Sequence, residues 1–440
     1  MKLDWRKTFL IGFGFFGISV IWQLYDSFMP IFLQAGHPDF ETQRHVFGFG
    51  LDPFFTGVIM GLDNLAAIFI LPLIGAWSDR TRTSIGRRYP FIVTAAPVGA
   101  LAFILIPVGA GMINPATNGS IAENSGAFTL FIIGAGLMLL AMAILRTPVI
   151  SLMPDLTPSE LRSKANGVIN FMGGVGVIVA TFGLSRLFDL TPLLPFLTGA
   201  VVLGVAIVLL FLMVKEPDVA SMPHPEVHER SDAEEAISGL RSVSVIPRQY
   251  WRSLLALLLA IFAWFIGYNG LSTFFSSYAV DTLGVSPGMA PTLFGIAGVA
   301  FILFAIPAGY IGERIGRKRT IMLGLVIFAV LLVIGYFISS PAIVGAILGF
   351  GGLGWALINI NSLPMVVDTT DDARLMGTYT GLYYFASQTA SSIAPALTGG
   401  LIKLFGGDYR MIFITGTLFF GIALLCMLFV TRGEAHRQKA

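Results

Sequence analysis

GAWSDRTRTSIGRR (75–88) and GYIGERIGRKR (309–319) are two charged loops that follow the second and the eighth apolar segments of the chain. A second matched pair is DLTPSELR (155–162) after the fourth segment and DTTDDAR (368–374) after the tenth. Charged loops at equivalent positions in two apolar halves indicate an internal repeat of six helices. Parallel six-helix repeats are typical of transporters in which two bundles rock around a central site.

The composition requires a membrane. The 440 residues are 55% hydrophobic and only 12% charged, whereas soluble proteins carry about 25% charged residues. The apolar residues occur in runs of about twenty, which is the length of a helix that crosses the bilayer core. They predict an all-α integral membrane protein with two pseudo-symmetric six-helix bundles. The twelve predicted spans are 8–34, 54–77, 91–113, 126–152, 164–186, 195–214, 252–279, 290–311, 320–338, 341–366, 376–402 and 411–431.

The distribution of Lys and Arg predicts the orientation. With the N-terminus inside, all but five of the 27 Lys and Arg residues fall in cytoplasmic segments. The exceptions are Arg44, Arg186, Lys403, Arg410 and the intramembrane Arg146. The positive-inside rule therefore places both termini in the cytoplasm of a cell (inner) membrane. We divide the chain into a first bundle (1–214), a cytoplasmic linker (215–250) and a second bundle with a short tail (251–440).

Several function classes are disfavoured. The net charge of +2 does not suggest a nucleic-acid partner, and Cys426 is the only cysteine, which excludes a cysteine metal site. The sequence GFGFFG (12–17) lies inside a span and lacks the strand that a dinucleotide site requires. His224 and His228 lack a further metal ligand nearby. We expect no metal, no cofactor and no enzymatic activity, and transport driven by a gradient and not by ATP.

The charged loops resemble the signature of the major facilitator superfamily, and the resemblance covers the whole chain. The signature residues are Gly75, Asp79, Arg80, Gly86, Arg87 and Arg88 in the first copy, and Gly309, Glu313, Arg314, Gly316, Arg317 and Lys318 in the second. SDRTRTSIGRRYPFI and the opening GFGFFGISVIWQL are similar to the sucrose–proton symporters and related proton-coupled sugar carriers. The glycoside–pentoside–hexuronide cation symporters are a more distant likeness. Ile150 stands where plant-type sucrose carriers have an arginine, and Arg146 lies one turn earlier.

Three charged residues lie well within predicted spans, namely Asp26, Asp63 and Arg146. At about 1.5 Å per residue, each lies roughly 12–13 Å from its nearer membrane surface. A charge at such depth costs at least about 2.5–3.5 kcal/mol, which favours a functional role. Two carboxylates at one depth do not both ionise at low cost, so we expect one to bind a proton. Arg146 would hold the deprotonated state; a static buried ion pair is the alternative.

A sugar site needs an aromatic face and side chains that hydrogen-bond hydroxyl groups. The candidates for substrate binding are Trp22, Gln23, Tyr25, Asn166, Asn170, Trp264, Tyr268, Asn269, Trp355, Asn359, Tyr383 and Gln388. Plain packing is the alternative for the aromatic residues, and interhelical hydrogen bonding is the alternative for the amides. Ser27, Asn64 and Asn269 also leave sodium coupling open.

The cytoplasmic charges predict a gate. The resemblance implies that acid–arginine pairs at the inner face stabilise the outward-facing state and separate when the bundles rock. The alternative is that the positive charges only set the topology. The candidate gating residues are Asp79, Arg80, Arg87, Arg88, Asp155, Arg162, Glu313, Arg314, Arg317, Asp368 and Arg374.

The combined prediction is a monomeric secondary active transporter that imports a sugar or glycoside with protons by alternating access. Its partners are the small-molecule substrate, the proton and the lipid bilayer. Proton-driven export of an apolar molecule and uncoupled uniport remain alternatives. A non-transporting receptor or lipid scramblase is a third alternative, although the linker and tail are short for a signalling domain.

Overall fold

The computed structural model describes residues 4–42, 46–158, 161–216, 246–370 and 375–434. These ranges contain twelve long helices, so the predicted all-α fold is confirmed. Their bounds are α1 Trp5–Gln34, α2 Pro53–Arg80, α3 Tyr89–Gly111, α4 Ser125–Leu156, α5 Arg162–Ile178, α6 Leu193–Met213, α7 Arg248–Asp281, α8 Ala290–Ile315, α9 Arg317–Tyr336, α10 Pro341–Val367, α11 Met376–Leu404 and α12 Met411–Leu428. Most of the predicted linker, together with Arg374, His224 and His228, lies outside the described residues.

Eleven helices in the described part of the chain are long and apolar enough to cross a bilayer. The twelfth, α11, has sufficient length but carries many Ser, Thr, Tyr and Gln side chains. It packs against α2 and α7, and its Ser387, Ser391 and Thr398 side chains are buried. This enclosure explains how a more polar helix is tolerated in a membrane fold.

The end of the α5 span departs from regular α-helix. After Ile178 the chain continues as a π segment, Val179–Gly183, and a 3₁₀ segment, Leu184–Asp189. The carbonyl oxygen of Thr181 accepts hydrogen bonds from Ser185 Oγ and from Thr292 Oγ1 of α8, at 2.5 and 3.2 Å. The irregular segment therefore supplies a contact between the two halves of the protein.

The halves repeat each other in their packing. Helix α3 packs on α4 and α6, and α9 packs on α10 and α12 in the same way. Glu216, just after α6, accepts the backbone N–H of Arg88 at 2.9 Å. Glu434, just after α12, accepts the backbone N–H groups of Arg317 and Lys318 at 2.7 and 3.0 Å. Equivalent glutamates thus cap the equivalent helices α3 and α9.

Each capping glutamate faces a glycine that the backbone requires. Gly86 has a φ of 106° and Gly316 a φ of 97°, a region that residues with side chains rarely adopt. A Cβ at Gly86 would also overlap the Glu216 side chain, and one at Gly316 would lie 3.0 Å from the Glu434 carboxylate. The two charged loops are therefore related in structure as well as in sequence.

The halves meet at one end of the molecule, which we call the closed face. It carries Gln34, Asp52, Asp189, Ser286 and Lys403. Ser277 Oγ donates to Gln34 Oε1 at 2.5 Å, and Ser286 Oγ donates to Asp189 Oδ2 at 2.6 Å. The backbone N–H of Glu41 donates to Asp281 at 2.9 Å. These bonds join the first half to the second.

Direct backbone contact between α2 and α11 reinforces the closed face. A Cβ built at Gly57 would overlap the carbonyl oxygen of Pro395, and one at Gly61 would overlap that of Ser392. Small residues permit this close approach of two helices in a membrane.

The opposite end, which we call the charged face, carries Arg80, Arg88, Asp155, Arg317 and Asp368. The ion pairs found here between described residues include Arg87 and Arg88 with Asp155 in the first half, and Arg317 with Asp368 in the second. A Cβ at Gly167 of α5, or at Gly377 or Gly381 of α11, would meet no atom within 4 Å. The halves therefore separate toward the charged face.

Candidate functional site

A cavity of about 760 Å³ lies between the two halves. This size is within the range of about 300–1,000 Å³ that is usual for small-molecule sites. Its lining comes mainly from α1, α2, α4 and α7, with Pro291 and Phe294 of α8 and Gln388 of α11. The cavity therefore has contributions from both six-helix bundles, as a site for alternating access requires.

The three intramembrane charges predicted from the sequence all line this cavity: Asp26 from α1, Asp63 from α2 and Arg146 from α4. Asp26 and Arg146 are exposed and Asp63 is half-buried. Asp26 and Arg146 are exposed and also line the cavity, so their side chains are directed into the cavity and not into the packed interior of the bundle.

None of the three forms an ion pair with another described residue. Asp63 Oδ1 accepts hydrogen bonds from the backbone N–H and side-chain Nδ2 of Asn64, at 2.6 and 2.9 Å. The expected contact between Arg146 and a carboxylate is therefore not formed in this conformation. A static Arg–Asp pair, the alternative to a functional role, is not formed either.

Neutral polar groups surround the charges. On α1, Gln23 Nε2 donates to Ser27 Oγ at 3.2 Å. On α7, Asn269 Nδ2 donates to the carbonyl oxygen of Phe265 at 2.8 Å, and Ser272 Oγ donates to the carbonyl oxygen of Asn269 at 3.1 Å. These groups retain further donors and acceptors for a ligand rich in hydroxyl groups.

An aromatic stack supports the second-half wall of the cavity. The rings of Tyr268 and Trp355 are parallel within 7°, with centroids 4.0 Å apart. Tyr268 lines the cavity, whereas Trp355 is buried behind it. The stack fixes the orientation of the Tyr268 ring at the cavity surface.

Eight of the fifteen predicted coupling and substrate residues line the cavity. These are Trp22, Gln23, Asp26, Asp63, Arg146, Tyr268, Asn269 and Gln388. Among the others, Tyr25, Trp264, Trp355 and Tyr383 are buried in the core. Asn359 is half-buried, while Asn166 and Asn170 are exposed near the start of α5. Asn170 Nδ2 donates to Asn166 Oδ1 at 3.0 Å.

The sequence analysis missed several polar lining residues and most of the apolar wall. Ser19, Ser272, Thr273 and Ser276 lie at the cavity. Their signal is helical spacing, because Ser272, Thr273 and Ser276 follow Asn269 at intervals that place them on one face of α7. Serine and threonine within a span are also common elsewhere, so the residue type alone does not identify them.

The predicted gating residues form a compact cluster in the first half. The Arg88 guanidinium is 2.8 Å from Asp155 and 2.5 Å from Asp79. Burial disfavours the charge on Arg88, but the hydrogen bond and charge of Asp155 and the charge of Asp79 raise the pKa of the guanidinium. Arg87 also pairs with Asp155, at 2.7 Å. These charges lie within one half, so the cluster leaves the charged face open.

The remaining gating candidates lie apart from this cluster. Arg162 donates to the carbonyl oxygens of Thr157 and Pro154 instead of pairing with Asp155, at 3.3 and 3.0 Å. Arg80 and Glu313 are exposed at the ends of α2 and α8, as is Arg314. Arg317 pairs with Asp368 in the second half.

The described residues contain twelve long helices, eleven of them long and apolar enough to cross a bilayer, in two related bundles with a shared polar cavity. This is the architecture of a multi-pass membrane transporter and not of an enzyme. A family model described as "MFS/sugar transport protein" matches residues 10–431. The chain therefore belongs to this family of the major facilitator superfamily.

Two relatives illustrate the range of similar sequences. The sialic acid transporter NanX of Escherichia coli K12 is 24% identical, and the match covers 86% of this chain and 93% of NanX. A dipeptide and tripeptide permease B from Photorhabdus asymbiotica is 34% identical, but the match covers only 32% of this chain and 29% of the permease.

Solved structures share the fold. A peptide transporter POT superposes with a TM-score of 0.70 at 15% identity, covering 98% of this chain and 95% of the other. The nucleoside transporter NupG superposes with a TM-score of 0.66 at 14% identity, covering 96% and 98%. At this identity the likeness concerns the fold alone.

Proposed function

We propose that this protein imports a sugar or glycoside together with protons, by alternating access around the central cavity. Asp26 and Asp63 serve as the proton sites, and Arg146 stabilises the deprotonated carboxylate. The observation that carries this proposal is the presence of all three side chains in the lining of one cavity, together with the amides of Gln23 and Asn269.

The electrostatics of the cavity support coupling. Asp26 and Arg146 line the cavity and form no ion pair with another described residue, so Asp26 is available to bind a proton and Arg146 to bind a substrate or a carboxylate. Desolvation of a carboxylate favours its neutral form, and a second carboxylate nearby adds to this effect. A proton needs only one carboxylate as its binding group, whereas a sodium ion needs several oxygen ligands. The residues therefore favour proton coupling over sodium coupling.

The neutral lining supports a sugar. Amides and hydroxyl groups on α1 and α7 offer donors and acceptors, and the Tyr268 ring offers an apolar face. The description of the matching family as a sugar transport protein and the full-length match to a sialic acid transporter favour the same substrate class.

The charge distribution supports a cytoplasmic charged face. The basic loops after α2 and α8 lie on this face, and by the positive-inside rule this supports our proposal that both termini are cytoplasmic. The bacterial relatives favour the inner membrane. In this orientation the structure is inward-facing, and the protein functions as a monomer because one chain forms the whole cavity.

Export of an apolar molecule is the second candidate. It is favoured by the apolar lining from α2 and α4, which includes Ala67, Ile70 and Leu139. An exporter of this kind would expel an apolar dye from preloaded vesicles when an inward proton gradient is imposed, and would show no accumulation of sugar.

The test is uptake of a labelled disaccharide panel into proteoliposomes, with an inward proton gradient, an inward sodium gradient or neither. We expect the proton gradient alone to drive accumulation and Asp63→Asn to abolish it. Glu123→Gln is the matched control, because Glu123 is exposed in the loop between α3 and α4. Equal accumulation under all three conditions, or with Asp26→Asn and Asp63→Asn combined, would contradict proton coupling.

A further inference from the structure

Tyr25 of α1 has a buried hydroxyl group that lacks a partner among the described residues. Its side chain is 0% exposed, so a substrate in the cavity does not reach it. The hydroxyl forms no hydrogen bond with another described residue, and a buried hydroxyl group in this state costs free energy. Since buried polar groups are almost always paired, this hydroxyl indicates a partner that it contacts in another state of the protein.

The Tyr25 hydroxyl lies beside the two carboxylates of the cavity. The charges of Asp63 and Asp26 both act on it, and Asp63 has the stronger effect although Asp26 is the adjacent residue in the chain. Since the interaction between charges weakens with distance, the hydroxyl is directed toward α2 and lies nearer to Asp63. Trp22, which lines the cavity, packs edge-on against the Tyr25 ring with centroids 6.0 Å apart. This contact limits the orientations that the Tyr25 ring adopts.

Asp63 has an oxygen atom that is available to accept the missing bond. Its Oδ1 atom accepts both hydrogen bonds from Asn64, at 2.6 and 2.9 Å, and Oδ2 forms no hydrogen bond with another described residue. An ionised carboxylate accepts bonds through both of its oxygens. A donor on α1 and an acceptor on α2 are therefore both unpaired at the contact between these two helices.

Few other ionisable groups face this pair. Among the described ionisable residues, Asp26, Asp63, Arg146 and Tyr268 line the cavity. Helix α6, which packs against α1, carries none, and those of α5 and α11 do not line the cavity. The Arg146 charge acts on either carboxylate, whereas a hydrogen bond from Tyr25 acts on Asp63 in particular.

We propose that Tyr25 is a positioning residue of the proton site, and that its hydroxyl donates to Asp63 Oδ2 when this carboxylate is ionised. The inference rests on the proposed proton coupling and specifies how the proton affinity of Asp63 is set. A hydrogen bond to the ionised form of a carboxylate favours loss of the proton. Tyr25 thus promotes release of the proton on the cytoplasmic side, after the sugar has crossed.

The test is the pH profile of Tyr25→Phe, which removes the hydroxyl oxygen and keeps the ring. Exchange of internal for external labelled disaccharide, chosen as the one that accumulates in the panel, is measured with equal pH on both sides of the vesicle membrane. Exchange requires the protonated carrier, so it falls as the pH rises. Without the hydrogen bond to ionised Asp63, the midpoint of this fall should move to higher pH by about one unit.

Tyr278→Phe is the matched control. Tyr278 is also fully buried, but its hydroxyl donates to the carbonyl oxygen of Ile338 at 3.3 Å and the residue does not line the cavity. We expect the midpoint of the wild type in this variant. Accumulation driven by a proton gradient should fall in Tyr25→Phe, because proton release becomes less favourable, whereas exchange below the midpoint continues.

The double variant Tyr25→Phe/Asp63→Asn tests whether Tyr25 acts through Asp63. We expect its exchange to equal that of Asp63→Asn at every pH, because the group on which the hydroxyl acts is no longer ionisable. A further change in the double variant would show that Tyr25 acts on Asp26 or on packing, and would overturn the proposal.

The other outcomes are also decisive. An unchanged midpoint in Tyr25→Phe, or an equal shift in Tyr278→Phe, contradicts the role of Tyr25, while proton-driven uptake by the wild type shows that the proposed function stands. Loss of folding in Tyr25→Phe, detected by thermal unfolding in detergent, would show that the hydroxyl is part of the packing and not of the proton site. Absence of sugar uptake by the folded wild type removes the proposed function and this inference together.

Discussion

Lys403 of α11 lies 2.8 Å from the Asp52 carboxylate at the start of α2, and this ion pair joins the two halves at the closed face. The Asp52 side chain also accepts the backbone N–H of Phe55 at 3.1 Å and so caps α2. The Lys403 ammonium lies 5.6 Å from the centre of the Phe55 ring. One lysine therefore contacts both the cap and the first turn of α2.

Removal of this pair is expected to favour opening of the closed face. Lys403→Ala removes an exposed ion pair worth up to about 1 kcal/mol, which corresponds to a shift of up to about fivefold between open and closed states. The shift is measured as labelling of Ser276→Cys from the closed-face side by a membrane-impermeant maleimide, in a Cys426→Ser background. Unchanged labelling would show that the pair does not contribute to closure.

The same measurement tests the pH dependence of the closed face. Burial raises the pKa of Asp52, but the hydrogen bonds from Lys403 and the Phe55 backbone outweigh it, so the pKa lies below its ordinary value. A lowered pKa means that the pair persists above about pH 3.9, the usual value for Asp, and is lost only in stronger acid. We expect the effect of Lys403→Ala to be equal at pH 5.5 and 7.5. An effect that disappears at pH 5.5 would make Asp52 a proton sensor.

Gly61 is expected to be more important for closure than the ion pair. A Cβ at this position would overlap the carbonyl oxygen of Ser392, and a backbone atom does not move aside as the end of a flexible side chain does. Gly61→Ala should separate α2 from α11, increase labelling of Ser276→Cys from the closed-face side and slow net transport. Gly126→Ala, on α4 with open space around the glycine, is the control. Normal closure in Gly61→Ala would show that the helices adjust elsewhere.

Arg88 is expected to stabilise the first half. Its side chain is 5% exposed and contacts Asp79, Asp155 and Ser78. Arg88→Gln leaves Asp79 without its ion-pair partner and leaves Asp155 with Arg87 alone, which should reduce the free energy of unfolding by about 3 kcal/mol. Thermal unfolding in detergent measures the change. The exposed Arg80 supplies the control Arg80→Gln, and equal melting temperatures for the two variants would contradict a structural role for the cluster.

Trp355 is expected to act on the substrate through Tyr268. Loss of the stack frees the Tyr268 ring, and aromatic pairs contribute about 0.5–1.5 kcal/mol beyond burial. Trp355→Ala should therefore raise the KM for sugar severalfold, whereas Trp355→Phe retains most of the affinity. The KM of both variants is measured in uptake assays at saturating proton gradient. A change in maximal rate with constant KM would contradict this role.

The sequence predicted the helices well because hydrophobic length is a local property. Most ends of the twelve predicted spans lie within a few residues of the ends of the corresponding helices. Asp26, Asp63 and Arg146, for which the sequence predicted a similar depth, line one cavity. The packing partners were not predictable in this way. Arg162 has the spacing of a partner for Asp155 but donates to backbone carbonyls, since the conformation of the loop decides the contact.

The candidate site shows the same limit. Trp22 and Gln23 line the cavity, whereas Tyr25, only two residues further on, is fully buried. The presence of a polar aromatic residue in a span does not indicate which way its side chain faces. The rotation of α1 about its axis depends on its contacts with α5 and α6. The close approach of α2 to α11 was not predictable either, because it depends on glycine contacts between distant segments.

The most direct test of the central claim is whether protons enter together with the sugar, measured in vesicles that contain a pH-sensitive dye. The account predicts sugar-dependent acidification of the vesicle lumen by the wild type and none by Asp63→Asn, while exchange of internal for external labelled sugar continues in this variant. Continued exchange shows that the cavity still binds and reorients. Sugar-dependent proton movement that persists in Asp63→Asn would contradict the assignment of Asp63 as a proton site.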